Sequence, residues 1–563
     1  MSENSSSRRD FMVAGGLAVA ASALPAAVAG APPLSGEATD DHLTEATLAE
    51  AEKLAAIKLT GTERRQVLTG IEEEIERYRR RRAVELPNEL APATVFDPRL
   101  PGKPLSIEAR YRGSNHDPGP LAADDESIAY APVTVLSAWI GRGVLSSERL
   151  TRIYLERLGR LGPKLECTVT LLQERALAQA RRADAETADG RRRGPLHGIP
   201  WGAKDLLDAA GTPTTWGANP YRDRVAESDA AVVERLDEAG AVLVAKLSLG
   251  ALAYGDIWFG GRTNNPWKLD QGSSGSSAGP CAATAAGLTA FALGTETLGS
   301  IVTPCMRCGT TGLRPTFGRV ARTGAMALCW SLDKIGPICR TVEDCAMVLN
   351  AINGADPGDA SSIDVPLSFD ATGPVSGLRV GYSPQWFDQD PATDLDRRAL
   401  EAARRAGLDL VPIELPDLPY GTLLTVLLVE AAGAFEELTL SDRDDELVWQ
   451  EPQAWPNTFR TSRFTPAVEY LQAQRFRRLV CVMMAQQFEG LDAMISPSYA
   501  ASLLLITNNT GHPSLTLRCG FKEDGTPHGI TLWGGLFEDG LLCRIGMALE
   551  RKLAVWDRRP GAF

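Results

Sequence analysis

The feature that most constrains the fold of this chain is a segment of small residues at 271–304, QGSSGSSAGPCAATAAGLTAFALGTETLGSIVTP. A Gly/Ser run by itself is typical of a flexible linker. Residues 278–286, however, have a helical pattern made only of small residues apart from Pro280, which lies in the first turn, where proline is tolerated. Gly287 would end that helix, and residues 288–293 predict a strand. Because a linker has no reason to lie between buried elements, the small side chains indicate that backbones approach a reacting group closely.

From about residue 130 onward, helices alternate with short apolar strands. In one example Ser228 or Asp229 caps an apolar helix, Gly240 stands at the usual position after it, and residues 241–247 (AVLVAKL) predict a buried strand. This repetition predicts an α/β fold whose sheet is covered by helices on both faces. Residues 415–480 interrupt the pattern as a mainly helical insertion.

Residues 1–30 have the composition of a targeting segment. Arg8 and Arg9 precede an apolar run at 12–29 that ends in small residues, which is typical of a secretory signal. The paired arginines resemble a twin-arginine export signal, which predicts an exported, periplasmic protein with no stable membrane insertion after signal removal. An uncleaved membrane anchor is the alternative, but the run is short and no basic stop follows it.

Residues 41–130 are predicted to form a helical pair followed by an extended arm. The first part, 44–82, carries a helical apolar stripe that Thr62 can cap. The second part, 85–130, is rich in Pro, Gly and Asp. The remaining residues, 131–563, hold the α/β domain with its helical insertion.

The charge and the cysteines argue against two classes of function. A formal net charge of −13 repels phosphate backbones, so we do not expect the chain to bind nucleic acid. The ten cysteines form no dense framework, and Cys305-x-x-Cys308 has no second pair at zinc spacing. We therefore expect buried structural thiols and no metal site.

A turn directly after the predicted strand carries the candidate nucleophile. Residues 294–300 read GTETLGS, and a tight turn of this kind can point successive backbone N–H groups into one space. Such a group of donors can hold the negative oxygen that develops when a carbonyl is attacked. Ser300, at the end of the turn, would be placed to attack.

A nucleophilic serine needs a base, and the residues alone leave its identity open. The histidines support a Ser-His-Asp triad poorly, because they fall in the N-terminal region or beside glycines and prolines: His42, His116, His197, His512 and His528. Lys204 follows the apolar stretch of 198–205 (GIPWGAKD), and Lys246 stands at another strand end. Burial lowers the proton affinity of a lysine amine and leaves a competent neutral base. Either lysine fits this role.

Five segments together resemble the amidase signature family of serine hydrolases: GIPWGAKD, GSSAGPCAATAAGL, ALGTETLGSI, GLRPTFGRV and TGHPSLTL. The resemblance covers about residues 130–560, and the combination is highly specific. It implies an amidase that hydrolyses a carboxylic amide C–N bond in a small-molecule substrate. It further implies a mixed central β-sheet flanked by helices, to which the N-terminal helical arm is an addition, and a mechanism without metal or organic cofactor.

The resemblance also assigns roles to individual residues. The family's catalytic lysine falls on Lys204, its bridging serine beside a cis peptide falls on Ser276, and its nucleophile falls on Ser300. The interval of 24 residues between the two serines matches the family and selects Ser276 over Ser273 and Ser274.

The neighbours of these residues are assigned in the same way. Ser277 is implied to support the hydroxyl network, and the oxyanion turn falls on Thr297, Leu298, Gly299 and Ser300. Two positions depart from the family pattern: Glu296 stands where many members have Asp, and Val302 stands where they have Arg. The ion-pair network behind the turn is therefore not given by the resemblance.

Two other functions remain as alternatives to a free-standing amidase. An amidotransferase subunit would supply ammonia to a partner, which the export signal opposes because the tRNA partners of such subunits are cytosolic. A catalytically silent binding protein is opposed by the joint presence of Lys204, Ser276 and Ser300. Neither the amide that is cleaved nor the oligomeric state follows from the sequence. Four aromatic residues of the insertion either wall a substrate pocket or serve ordinary packing: Trp449, Trp455, Phe459 and Phe464.

Overall fold

The computed structural model of the protein describes residues 43–563, except for residues 103, 104, 106, 116, 391 and 501. The predicted signal at 1–30 and the histidines His42 and His116 lie outside the described residues. Residues Glu45–Phe563 form one compact unit. Within the described residues, no helix combines the length and apolarity needed to cross a bilayer.

The helices of the described residues are α1 Glu45–Ala55, α2 Gly61–Arg82, α3 Asp125–Ala129, α4 Val133–Gly141, α5 Ser147–Leu165, α6 Gln173–Ala188, α7 Ala231–Glu238, α8 Ala278–Ala285, α9 Val302–Cys308, α10 Val342–Ile352, α11 Pro384–Asp388, α12 Asp394–Arg405, α13 Leu424–Ala434, α14 Glu436–Leu440, α15 Trp455–Ser462, α16 Ala467–Gln487, α17 Leu503–Thr510 and α18 Asp539–Leu553.

The strands are β1 Arg110–Arg112, β2 Thr168–Leu171, β3 Pro200–Lys204, β4 Val242–Leu247, β5 Ile257–Trp258, β6 Gly261–Arg262, β7 Asn264–Asn265, β8 Lys268–Gly272, β9 Phe291–Glu296, β10 Thr311–Arg314, β11 Lys334–Cys339, β12 Ser368–Asp370, β13 Arg379–Tyr382, β14 Asp409–Pro412, β15 Ala493–Pro497, β16 Ser514–Phe521 and β17 Pro527–Gly534.

A central sheet of 11 strands runs in the order β14-β13-β15-β17-β16-β10-β11-β9-β3-β4-β2. It is mixed, because β3 pairs in parallel with β4 and β9, and β13 pairs in parallel with β14 and β15, while the other pairs are antiparallel. Every residue of β3, β4 and β9 is buried, as expected for strands that helices cover on both faces. The predicted mixed sheet flanked by helices is confirmed.

Strands β3 and β9 bring the predicted site residues to one edge of this sheet. They run in parallel, and their carboxyl ends carry Lys204 and Glu296. Glycine at position 202 allows this packing, because a Cβ there would lie 2.4 Å from Cδ1 of Leu247 on β4 and that side chain would have to move. The close approach that the small residues predict is therefore realised between neighbouring strands.

Several element boundaries differ from the sequence prediction. Helix α2 is capped by Thr60, whose side chain accepts from the N–H of Glu63, and not by Thr62. Helix α7 begins at Ala231 without a side-chain cap, because the Asp229 carboxylate instead binds Arg175 and the N–H of Ala210.

The strand predicted at 288–293 begins three residues late, at Phe291. The cause is a turn after α8, in which Gly287 has a φ of +64° and the N–H of Leu288 donates to the carbonyl of Ala283. The apolar pattern of the sequence does not show where the turn ends and the strand begins, because the residues of the turn are buried like those of the strand.

The ten cysteines are free thiols and are all buried, which confirms the prediction of structural thiols. Cys305 of α9 packs against α8, with its Sγ 3.5 Å from that of Cys281. Burial raises the pKa of Cys281 and of Cys308 well above the usual value of a thiol. No group of three or more His, Cys, Asp or Glu side chains within the described part of the chain is arranged to hold a metal ion.

Candidate active site

Lys204 lies at the end of β3, and its amine is fully buried. The hydrogen-bond partners of this amine are oxygen atoms. Its Nζ is 2.8 Å from Oγ of Ser276, 2.8 Å from Oγ1 of Thr295 and 3.2 Å from Oγ of Ser277. No carboxylate forms an ion pair with this amine among the described residues, although most charged groups that are fully buried have such a partner.

This environment lowers the pKa of Lys204 to about 7. The main cause is desolvation by burial, which disfavours the charged ammonium. The charges of Asp333 and Glu296, which are farther away, act in the opposite direction and do not offset the burial. A substantial fraction of the amine is therefore neutral at neutral pH.

Ser276 and Ser277 reach Lys204 from the segment before α8. The hydroxyl of Ser277 donates to the carbonyl of Thr295 at 3.0 Å and accepts from the N–H of Thr295 at 3.1 Å, so it is fixed to β9. Glycine at 294 permits this contact, because a Cβ there would lie 2.7 Å from Oγ of Ser277. The peptide bond between Gly275 and Ser276 is cis.

Ser300 is held beside this segment by backbone contacts. Its carbonyl accepts from the N–H of Ser277 at 3.1 Å. The hydroxyl of Thr303 contacts both the carbonyl of Gly275 at 2.9 Å and that of Gly299 at 2.8 Å, and so connects the residues beside the two serines. The described residues form no hydrogen bond between the Ser300 and Ser276 hydroxyls, a contact that in hydrolases often tightens only in the complex with substrate.

The turn before Ser300 presents a row of backbone donors. The N–H groups of its four residues donate to no acceptor within the described part of the chain, so an incoming oxygen can bind them: Thr297, Leu298, Gly299 and Ser300. Gly299 has a φ of +88°, which favours glycine at this position. The hydroxyl of Thr297 donates to Asp333 at 2.6 Å and fixes the start of the turn.

The carboxylate of Glu296 supports this turn from behind. One oxygen accepts from the N–H groups of Ile301 at 2.8 Å and Val302 at 2.9 Å, at the start of α9. The other accepts from Nη1 of Arg314 at 2.7 Å and Nδ2 of Asn508 at 2.9 Å. Four donors therefore saturate a fully buried carboxylate.

Arg314 completes the ion-pair network that the resemblance left undetermined. It lies on β10 within GLRPTFGRV, and its guanidinium is fully buried against Glu296. Val302 takes part through its backbone N–H alone, so no arginine is needed there to pair with Glu296. Burial raises the pKa of Glu296, but the charge of Arg314 and the hydrogen bonds outweigh that effect and bring the pKa to about 2.

The rival lysine, Lys246, has a different environment. Its Nζ lies 2.8 Å from the carboxylate of Asp205 and 2.6 Å from the hydroxyl of Thr214, and both members of the ion pair are fully buried. Burial lowers the pKa of Lys246, and Asp205 opposes the shift. The Lys246 amine therefore already has a carboxylate partner, which the Lys204 amine lacks within the described residues.

The histidines within the described residues are bound elsewhere. His197 contacts the carbonyl of Ala183, His512 contacts the hydroxyl of Thr510, and His528 pairs with Asp396. Burial, together with the charge of Arg314, lowers the pKa of His512 to about 3, so its ring stays neutral.

Among the serines of the glycine-rich segment, Ser273 and Ser274 do not reach Lys204. The hydroxyl of Ser273 donates to the carbonyl of Ser274, and that of Ser274 contacts Thr303.

The sequence prediction did not assign Thr295, Thr303 or Arg314 to the site. Thr295 lies in the motif ALGTETLGSI and Arg314 lies in GLRPTFGRV. The sequence therefore pointed to both positions, but it did not indicate what either residue does. No sequence motif pointed to Thr303, because its contact with Gly275 depends on how two segments far apart in the chain meet. Of the aromatic residues in the insertion, Trp455 and Phe459 stack in the core, while the side chain of Phe464 is 63% exposed.

Known proteins are similar to this chain over most of its length. A family model described as Amidase matches residues 149–543. The chain is 35% identical over 470 residues to a glutamyl-tRNA(Gln) amidotransferase subunit from Roseiflexus castenholzii, a match that covers 75% of this chain and 95% of that protein. The peptide amidase of Stenotrophomonas maltophilia matches with a TM-score of 0.67 and 30% identity, over 76% of this chain and 98% of its own. An amidase family protein from Bacillus anthracis matches with a TM-score of 0.69 and 27% identity, over 77% of this chain and 93% of its own.

The Glu296–Arg314 pair generates a prediction about stability. Glu296→Gln should lower the free energy of unfolding at pH 7 by about 3–5 kcal/mol, because it leaves a buried guanidinium without its partner. The folded-state pKa of about 2 lies below the ordinary value of 4.5, so the stabilisation is present above pH 4.5 and is lost as the pH falls towards 2. Chemical denaturation at several pH values should therefore show the difference between wild type and variant shrinking in acid.

Glu156→Gln is the matched control, since Glu156 forms an exposed pair with Arg160 on α5. It should cost no more than about 1 kcal/mol. If Glu296→Gln were no more costly than this control at pH 7, the importance given to the buried pair would be wrong.

Proposed function

The chain belongs to the amidase signature family and is an amide-hydrolysing enzyme of that family, and from this premise we propose that Ser300 is its nucleophile. In the proposed mechanism Ser276 and Lys204 form the proton relay. The observation that carries the proposal is the Lys204 amine, which is fully buried, lies 2.8 Å from the Ser276 hydroxyl, and has a pKa of about 7. A lysine in this state is a base at neutral pH.

The first half of the reaction forms an acyl-enzyme. Neutral Lys204 takes the proton of the Ser276 hydroxyl as Ser276 takes that of Ser300, and Oγ of Ser300 attacks the amide carbonyl. The carbonyl oxygen becomes an anion, which the N–H groups of residues 297–300 bind. As the C–N bond breaks, the proton returns from Lys204 through Ser276 to the leaving amine.

The second half releases the acid. A water molecule attacks the acyl carbonyl and passes its proton along the same relay to Lys204. Collapse of the second tetrahedral intermediate breaks the ester bond to Oγ of Ser300, which recovers its proton. Ser277 and Thr295 keep the amine in place throughout, because each already holds it by a hydrogen bond.

We further propose that the substrate is a small carboxylic amide, either non-peptide or at a chain terminus. The 30% identity to a peptide amidase over 98% of that structure supports this class. A catalytically silent binding protein is disfavoured, since it would have no need to keep Lys204, Ser276 and Ser300 together, with the lysine amine 2.8 Å from the Ser276 hydroxyl.

An ammonia-supplying amidotransferase subunit is the second candidate function. The 35% identity to the subunit from Roseiflexus castenholzii favours it. The two candidates differ in what the chain does alone, since a free-standing amidase needs no partner for turnover. Release of ammonia from glutamine only after addition of a partner complex would favour the second candidate, whereas hydrolysis of simple amides by the purified chain would favour the first.

We also propose that the protein is exported through a twin-arginine route to the periplasm. The support is the pattern of Arg8, Arg9 and the apolar run that follows, which lies outside the described residues. The cysteines are compatible with this proposal, because a protein that crosses the membrane folded can keep buried thiols reduced.

The nucleophile is tested by Ser300→Ala. We expect this variant to lose amide hydrolysis and all labelling by a fluorophosphonate probe while it keeps its melting temperature, because only one hydroxyl is removed. Peptide mapping of the labelled wild type should place the adduct on Ser300. An active, unlabelled wild type, or labelling that survives in the variant, would contradict the proposal.

The role of Lys204 is tested by comparing an amide with a matched activated ester. The amide needs the relay twice, to activate Ser300 and to protonate a poor leaving group, whereas the ester needs only the first step. General acid–base assistance is worth about 10²- to 10⁴-fold. Lys204→Ala should therefore slow the amide more than the ester. In the wild type, kcat/KM should fall as the pH drops through about 7, since the amine gains a proton there, and this acid limb should be absent from the variant.

Lys246→Ala is the control for this experiment. It leaves Asp205 buried without its partner, so we expect a lower melting temperature but no selective loss on the amide. An amide-selective defect in Lys246→Ala together with equal losses on both substrates in Lys204→Ala would show that the wrong base has been named.

Export is tested by replacing Arg8 and Arg9 together with lysine. Because the receptor reads the arginine pair itself, the double variant should accumulate in the cytoplasm while its charge is unchanged. Cell fractionation and immunoblotting measure the distribution. Periplasmic recovery equal to that of the wild type would exclude the twin-arginine route.

A further inference from the structure

A cavity of about 360 Å³ borders the candidate active site. It is lined by Thr295 and Thr297, which contact the Lys204 amine and Asp333 respectively. Its volume lies near the lower end of the range of about 300–1,000 Å³ for small-molecule sites. The cavity therefore adjoins the residue that holds the Lys204 amine and the start of the turn that leads to Ser300.

One wall of this cavity comes from the N-terminal arm and not from the part of the chain that the family model matches. Residues 89–93 and Val95 line it, opposite Leu206, Ala253 and Met326. This stretch of the arm contains Pro87, Pro92 and Pro98. Proline fixes the backbone φ angle and favours an extended conformation that needs no hydrogen bonds to a neighbouring strand.

Asn88 anchors the beginning of this wall. Its side-chain amide donates to the carbonyl of Ala327 at 2.9 Å, and its side-chain oxygen accepts from the N–H of Ala327 at 2.7 Å. Its backbone carbonyl accepts from the indole N–H of Trp330 at 3.0 Å. These contacts hold the arm against the loop that forms the far side of the cavity.

A second anchor holds the end of the wall. The guanidinium of Arg477 lies 3.5 Å from the centre of the Phe96 ring, and that ring is 5.2 Å from the ring of Phe317. Pro98 is buried against Gly511. The stretch between Asn88 and Phe96 is thus fixed at both ends and spans the cavity between them.

Apolar side chains of the wall are only partly covered. Leu90 is 55% exposed and Val95 is 39% exposed, although both line the cavity. A ligand in the cavity would cover part of this apolar surface, which is favourable. The neighbouring Met326 and Leu328 are buried and supply an apolar floor.

Four of the charged groups around the cavity are already engaged, whereas Glu89, which also lines it, forms no ion pair within the described residues. The guanidinium of Arg322 binds the carboxylate of Asp359, and Asp333 accepts from Thr297 and from the backbone N–H groups of residues 328 and 329. Lys334 donates to the carbonyl of Leu332, and burial keeps its pKa well below the usual value. The carboxylate of a zwitterionic amide such as glutamine would find no unpaired cation among the described residues that line the cavity, whereas an apolar group needs none.

We infer that residues 88–95 form a specificity wall of the substrate pocket, and that the amide substrate carries a compact apolar group, about the size of a leucine or phenylalanine side chain, which Leu90 and Val95 cover. This inference rests on the proposed function and names the substrate class of the same site. It also makes Asn88 a positioning residue, which acts by holding the wall in place.

The test is the double variant Leu90→Ser with Val95→Ser, measured on acetamide, isovaleramide and phenylacetamide. Both side chains are partly exposed, so the fold should tolerate the change. In the wild type, kcat/KM should rise along this series, and the ratio for phenylacetamide over acetamide should fall about tenfold or more in the variant, because a few lost apolar contacts have roughly that effect. Leu86→Ser is the matched control, since Leu86 is 54% exposed on the same arm but does not line the cavity. It should leave the ratio unchanged.

Asn88→Ala provides an independent measurement. Release of the anchor should raise KM for phenylacetamide more than it lowers kcat, because the wall contacts the apolar group and not the reacting atoms. A variant that lost kcat alone, or that lowered the melting temperature with no change in the substrate ratio, would contradict the positioning role.

Failure of this inference can be distinguished from failure of the proposed function. Labelling rates of Ser300 by methyl and benzyl fluorophosphonates report the pocket without turnover, and the wild type should prefer the benzyl probe by a factor that the double variant loses. Equal rates for both probes, or the same loss in Leu86→Ser, would overturn the specificity wall while the nucleophile stands. A wild type that neither probe labels, and that Ser300→Ala does not inactivate, would instead overturn the proposed function.

Discussion

The candidate site depends on the burial of the Lys204 amine. Hydroxyl and carbonyl oxygens surround this amine, and no carboxylate pairs with it within the described residues. Desolvation is the cause of the low pKa of Lys204, and that pKa is what makes the amine a base. Lys246 lies on the adjacent strand and is equally buried, but it has a carboxylate partner, Asp205. The two lysines therefore differ in their partners and not in their burial. The bond to Asp205 makes Lys246 part of an ion pair of the core, although the two lysines look alike in the sequence.

The small residues of the chain are what allow this burial. Gly202 brings β3 against β4, and Gly294 brings Ser277 against β9, because at either position a Cβ would collide with a neighbour. The Lys204 amine is thereby held by side chains from two other segments, Ser276 and Ser277 before α8 and Thr295 on β9. The turn that carries Ser300 is held by a second buried charge, Glu296, which Arg314 neutralises and four donors saturate. The proposed base and the proposed nucleophile thus depend on two buried ionisable groups. Lys204 has no ion-pair partner within the described residues, whereas Glu296 is paired with Arg314.

The N-terminal arm adds an element that the catalytic core does not need for its chemistry. It packs along the body of the enzyme, where Asn88 and Phe96 fix a proline-containing stretch across a cavity. An arm of this kind can change the shape of a pocket without altering the residues that contact the reacting atoms, since it supplies only side chains at the rim. This separation gives a physical reason for similar sites to act on different amides, because binding of the remote part of the substrate is then tuned independently of the relay.

The sequence by itself determined the class of fold and the family, and it singled out Lys204, Ser276 and Ser300 as candidate residues, because the small-residue segment and the motifs around it are local and specific. It did not determine which of Lys204 and Lys246 lacks a carboxylate partner, since that depends on Asp205 reaching one amine and not the other. Nor did it determine that Arg314 pairs with Glu296, that Thr303 joins the two serine segments, or that residues 89–93 and Val95 line a cavity beside the candidate site. Each of these contacts joins segments far apart in the chain, and only the packing of the sheet, the helices and the arm brings them together.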